Sequence, residues 1–235
     1  MNEGRGSFYD KSILQESMES RPIKVVFLGE KTSGLTEIIS VLFGQTQGSL
    51  QSEATKLMEF RPKTVIYNNR TVTFNLWQLG QAQQDPRLIT SSYLKGSDAV
   101  VLVIDVAAKW DRQNFVGWMS LIENNTHKGM PIFVLCTRVE TLSPEDGLQA
   151  KVNMRLVMQE YITIAGYYYI NETVAESVES AFENLTQITC SKVFSSSHSS
   201  LKADKTSGIS RRSQLPKNDP RYNGFDKKQK DSKCC

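Results

Sequence analysis

Ile23-Lys24-Val25-Val26-Phe27-Leu28-Gly29-Glu30-Lys31-Thr32-Ser33-Gly34-Leu35-Thr36-Glu37-Ile38-Ile39-Ser40-Val41-Leu42-Phe43 is the stretch that decides the fold. Ile23 to Leu28 is a short apolar run of strand length. A loop bounded by Gly29 and Gly34 follows, and apolar residues then recur at helical spacing from Leu35 to Phe43. Buried strand, glycine-bounded turn and helix, in that order, open an α/β unit.

The remaining elements repeat that alternation. Residues 59–67 and 71–77 flank Asn68-Asn69, a turn that joins two antiparallel strands. Residues 98–106 and 132–136 read as buried strands, because nearly every position is apolar. Phe115, Trp118, Met119 and Ile122 share a helix face. A helix is expected from about Gln149 to Ile164, then a short strand over 167–170. A last amphipathic helix is marked by Val174, Val178, Ala181, Phe182 and Leu185. The expected fold class is therefore α/β, a mostly parallel six-stranded sheet with helices on both faces. Residues 1–20 read as a flexible extension, 21–192 as the folded domain and 193–235 as a disordered tail.

Composition narrows the classes. The chain has 235 residues, 39% hydrophobic and 23% charged, which suits one globular domain with tails. Its first residues lack an apolar signal segment, so the chain is expected on the cytosolic side. The net charge of +3 hides an asymmetry: residues 196–235 hold ten Lys/Arg against four Asp, so the body is mildly acidic and the tail basic. Such an arm suits an anionic surface. The four cysteines, Cys136, Cys190, Cys234 and Cys235, and the two histidines, His127 and His198, are too scattered for a zinc centre.

A phosphate-binding loop has the pattern Gly-x-x-x-x-Gly-Lys-Ser/Thr: backbone N–H groups wrap the phosphates, lysine neutralises them, and the hydroxyl ligates Mg²⁺. Gly29, Gly34 and Thr36 keep that spacing, but Leu35 stands at the lysine position and Lys31 lies inside the loop. On its own, such a turn is more often a plain structural connection than a phosphate site.

Further segments then resemble the Rab family of small GTPases. Thr55 follows Thr36 at the interval of the second Mg²⁺-ligating threonine. Trp77-Gln78-Leu79-Gly80-Gln81 is similar to the segment before switch II, and residues 87–97 resemble the Rab signature after it. Leu102 to Val106 looks like the next Rab strand, and Trp118 stands where the following helix has its tryptophan. Cys234-Cys235 resembles the Rab geranylgeranylation ending. Residues 26–30 and 70–72 lean toward the Golgi-associated branch. Coverage is about 22–190 plus the C-terminus.

The resemblance implies a P-loop small-GTPase fold and a guanine-nucleotide switch in vesicle traffic, with loops around Thr55 and Gln81 ordered by the γ-phosphate and Mg²⁺. GTP or GDP would meet Gly29, Lys31, Gly34, Thr36, Thr55, Gly80, Thr137, Arg138 and Glu140; Mg²⁺ would meet Thr36 and Thr55. Gln81 is the candidate catalytic residue, although counting back from Tyr93 selects Gln83. The Mg²⁺-linked aspartate becomes Gln78 or Leu79. Asn-Lys-x-Asp becomes Thr137-Arg138-Val139-Glu140: Glu140 keeps an acceptor for the guanine edge, while Thr137 lacks the amide that braces the loop. Ser-Ala-Lys aligns with Asn171-Glu172-Thr173, and Thr189 to Lys192 is expected after the last helix.

Losing one charge-assisted contact at the phosphates and one at the base costs roughly two to four decades of affinity. A second reading therefore stands beside the switch: a pseudo-GTPase acting as a membrane-tethered binding module. Either way the resemblance implies Rab effectors, an exchange factor and escort or GDI-type proteins. It also implies residence on the cytoplasmic face of endomembranes, the Golgi first, with a cytosolic pool. The tail has no aromatic or motif context for nucleic acid. Geranylgeranyl lipid on Cys234 and Cys235, with Lys227, Lys228 and Lys230 before them, suits the endomembrane surface.

Overall fold

The computed structural model describes residues 21–30, 32–44, 58–79, 91–108 and 111–203. The elements are β1 (Ile23–Gly29), α1 (Leu35–Leu42), β2 (Met58–Tyr67), β3 (Arg70–Leu79), α2 (Ser91–Leu94), β4 (Ala99–Asp105), α3 (Arg112–Asn125), β5 (Ile132–Thr137), α4 (Pro144–Met158), β6 (Ile164–Tyr169) and α5 (Ala175–Ala203). Their strands form one six-stranded sheet in the order β2-β3-β1-β4-β5-β6. β2 pairs antiparallel with β3, and every other pairing is parallel.

Strand alternation divides the core in two. Val25 and Phe27 face a cluster with Leu35, Ile38 and Ile39 of α1 and Val178, Phe182 and Leu185 of α5. Val26 and Leu28 face the other cluster, with Leu94 of α2, Phe115, Met119 and Ile122 of α3 and Met154 and Val157 of α4. Fully burying one such side chain contributes about 1.5–3 kcal/mol. β1 and β4 carry apolar residues on both faces because helices cover both.

The hairpin between β2 and β3 turns on Asn68 and Asn69, both at positive φ (48° and 59°), the left-handed pair that a tight two-residue turn requires. Asp98 ties the entry of β1 to the start of β4. Its carboxylate accepts both ends of the Arg21 guanidinium (2.6 and 2.7 Å) and the Lys24 N–H (2.9 Å).

Three expected boundaries move. α4 begins at Pro144 and ends at Met158, because Ser143 Oγ accepts from the Asp146 N–H and Pro144 occupies the first turn. β6 starts at Ile164, earlier than expected. The last helix, α5, continues to Ala203. Phe194 stacks on Tyr67 with ring centroids 5.9 Å apart, and Val193 and Phe194 pack on the core. Thr189 to Lys192 therefore lies within α5, with Thr189 and Cys190 buried. Among the described residues, no helix is long and apolar enough to cross a membrane.

Candidate nucleotide site

The loop from β1 to α1 is a tight wrap. Ser33 N–H donates to Glu30 O at 3.0 Å. A Cβ at Gly29 would come within 2.5 Å of Ser33 Oγ and 3.0 Å of Val103 O, so only glycine fits there. Gly34 caps α1 at φ 78°, in the left-handed region that glycine enters without strain. Leu35, at the position of the phosphate lysine, is fully buried and packs with the α1 face of the core. Its alternative to a charge is burial, and burial is what the structure gives it.

Thr36 begins the next turn. Gln78 Nε2 donates to its hydroxyl at 3.2 Å, while Leu79 is buried with the opposite cluster. The two alternatives for the switch aspartate are thereby separated: Gln78 is the residue beside Thr36. An amide brings no negative charge to a cation. These residues do not fit a Mg²⁺–phosphate group in the form the resemblance implies, since position 35 supplies no cation and position 78 no carboxylate. Among the described residues no cluster of three or more His, Cys, Asp or Glu is arranged to hold a metal.

The loops after β5 and β6 form the other half. Thr137 is fully buried, and its hydroxyl lies 2.9 Å from Ser33 O and 3.2 Å from Ile104 O, bonded to both. The Thr137 hydroxyl thus ties the β5 loop to the β1 loop. Arg138 sits at φ 61°. Its Nη1 lies 3.3 Å from Asp105 Oδ2 and its Nε 3.2 Å from Glu172 Oε1, and both carboxylates are at least nine-tenths buried. The second oxygen of Asp105 accepts the Ala107 and Ala108 N–H groups at 2.9 and 3.1 Å.

An open cavity of about 520 Å³ lies over these loops, lined by Asp105, Arg138, Glu140, Thr141, Glu172 and Thr173 among others. Glu140 is exposed on its rim, in the short 3-10 turn Val139–Thr141. Of the residues assigned from sequence, Gly29, Gly34, Thr36, Thr137, Arg138 and Glu140 are therefore brought to one end of the sheet. Lys31, Thr55, Gly80, Gln81, Gln83, Cys234 and Cys235 lie outside the described residues. The Ser-Ala-Lys alignment reaches Glu172 in the β6–α5 loop, but nothing in the sequence signals that its side chain turns inward onto Gly34 and Arg138.

The comparisons agree with this architecture. Residues 24–140 match the family model described as the Ras of Complex, Roc, domain of DAPkinase. The sheet and the loops at its end are similar to those of a GTPase-type domain of the Ras superfamily. Its relatives are of the Rab type: the chain is 25% identical to the Ras-related protein Rab11A of Lotus japonicus over 168 residues, 70% of this chain and 71% of that protein. It is 28% identical to the Ras-related protein RABA4d of Arabidopsis thaliana over 112 residues, 48% of this chain and 50% of that one. The solved structure of Methanosarcina barkeri Roco2 RocCORdC bound to GDP shares the fold, with a TM-score of 0.54 at 16% identity. That match covers 73% of this chain and spans half of the other.

Proposed function

We propose that this protein is a Rab-type component of vesicle traffic that works as a membrane-tethered binding module, holding guanine nucleotide weakly and turning it over slowly. The observation that carries the reading is Leu35, buried in the core at the position where a lysine would meet the phosphates. Gln78 supports it by offering Thr36 an amide and no carboxylate. A charge-assisted contact contributes about 1.5–3 kcal/mol, so two missing contacts cut affinity by decades. Hydrolysis suffers further, because phosphoryl transfer depends on positioned charge. The partners on this reading are effectors of the Rab type together with escort or GDI-type proteins.

The Rab relatives and the Cys234-Cys235 ending support an endomembrane address, with the Golgi as the first site to examine. Two geranylgeranyl chains suffice for stable anchoring, where one is marginal. Two measurements test the proposal. Single-turnover hydrolysis at saturating GTP should be well below that of an ordinary Rab protein, and an ordinary rate overturns the module. Changing Cys234 and Cys235 to serine should move the protein from sedimenting membranes to the soluble fraction. Unchanged sedimentation overturns the lipid anchor.

A further inference from the structure

The loop between β6 and α5 is built to hold one acidic side chain inside. Ile170 N–H donates to Cys136 O at 2.9 Å, which extends the pairing beyond β6. Asn171 Oδ1 then accepts the Thr173 N–H at 3.0 Å and hydroxyl at 2.7 Å, and Asn171 N–H donates to Ser177 Oγ at 3.0 Å. Between these fixed points Glu172 turns inward and is only 6% exposed. One of its oxygens meets Arg138, which it shares with Asp105. The other, Oε2, is buried with no hydrogen-bond partner among the described residues. A carboxylate in that state is a costly thing to bury unless the place is defined by something else.

What defines it is Gly34. A Cβ on Gly34 would lie 2.8 Å from Glu172 Cγ and 3.1 Å from Cδ, so the glutamate side chain rests directly on the α-carbon that starts α1. No side chain caps α1. A helix N-terminus carries partial positive charge and favours an anion. The chain sets one there from its own sequence, joined through Arg138 to the base-side loop. Two buried carboxylates, Asp105 and Glu172, share that one guanidinium, so the cluster is acidic before Glu140 on the rim is counted. A phosphorylated ligand approaching α1 through the open cavity meets charge of its own sign.

We propose that Glu172 is the residue that sets nucleotide admission to this site, holding guanine nucleotide off by bulk against Gly34 and by charge beside α1. The inference deepens the reading that nucleotide is held weakly and rests on it. It assigns to one side chain a discrimination against phosphorylated ligands that the missing lysine alone does not supply.

The test uses the full-length protein and its variants Glu172→Ala and Glu172→Gln, each first checked for a cooperative thermal transition. Equilibrium dialysis measures GDP and, as an uncharged probe, guanosine. Glu172→Ala should bind GDP at least tenfold tighter than the parent. Glu172→Gln, which keeps the bulk and loses the charge, should lie between them for GDP and change guanosine binding less than twofold. Should Glu172→Ala fail to fold, the Glu172→Gln pair of measurements decides. Equal GDP affinities in all folded forms, or weaker binding by the variants, overturn the proposal. If the parent itself binds GDP at nanomolar concentration, the weak-binding reading falls, and the ratio between variants still judges Glu172 separately.

Discussion

Arg138 answers two buried carboxylates at once, and its loss leaves both Asp105 and Glu172 without it. Removing one partner of a buried ion pair costs about 3–5 kcal/mol, and the partial exposure of Arg138 lowers the figure to about 2–3. Arg138→Ala should therefore lower the unfolding free energy from urea titration by that amount, and adding Glu172→Ala should restore part of it. Thr137 is a second fixed point. Thr137→Val keeps the shape but strips Ser33 O and Ile104 O of a donor, at a cost of about 1–3 kcal/mol, whereas Thr137→Ser should retain most of the stability. Leu35→Lys places an ammonium among core side chains. It should destabilise the fold by about 2–5 kcal/mol, seen in thermal unfolding, and leave GDP affinity unimproved. Gly29, Gly34 and the Thr137–Glu140 run are legible as candidate site residues because spacing and residue type locate them. The inward turn of Glu172 is not legible, since it depends on Gly34 and Arg138, which reach it only through the tertiary fold.

At the scale of single elements, the turn at Asn68-Asn69 and the cap at Ser143 show when local sequence is sufficient. Both asparagines occupy the left-handed region, where a β-branched side chain costs about 1–2 kcal/mol. Asn69→Val should lower stability by that much and slow formation of the hairpin, measured by denaturant-dependent kinetics. Ser143→Ala should cost about 1 kcal/mol in the same assay, because the Asp146 N–H loses its acceptor. The hairpin was readable because the Asn pair and its flanking strands act within a few residues. α4 was read too late because its apolar spacing is weak: Leu148, Val152 and Leu156 stay exposed, and the cap, not the periodicity, fixes the start. α5 was read too short for the opposite reason. The turn that carries Val193 and Phe194 is held by their packing against distant core residues, which a serine-rich composition conceals.

For the molecule as a whole, burial holds the Cys136 thiol at about 12 and the Cys190 thiol at about 11, above the ordinary 9.0. The folded state prefers both protonated, so their stabilising share is complete below pH 9 and drains away as pH rises toward 11–12. By pH 10.5 Cys136 alone removes about 2 kcal/mol, a fall in the urea midpoint that Cys136→Val should flatten. Neutralising Lys227, Lys228, Lys230 and Lys233 should redistribute the protein among membranes, with a smaller loss of total binding, since each charge contributes about 1 kcal/mol at an anionic leaflet. The alternation of strands and helices made the architecture readable, because a sheet covered on both faces prints apolar runs into the chain. The link from Asp105 through Arg138 to Glu172 has a further consequence. A protein stabilised by a small molecule has a folded population that follows the supply of that molecule. Here the chain's own charges join the loops after β4, β5 and β6, so the thermal midpoint should rise little when GDP is added, and a large ligand-induced rise would show that these ion pairs do not hold the loops by themselves.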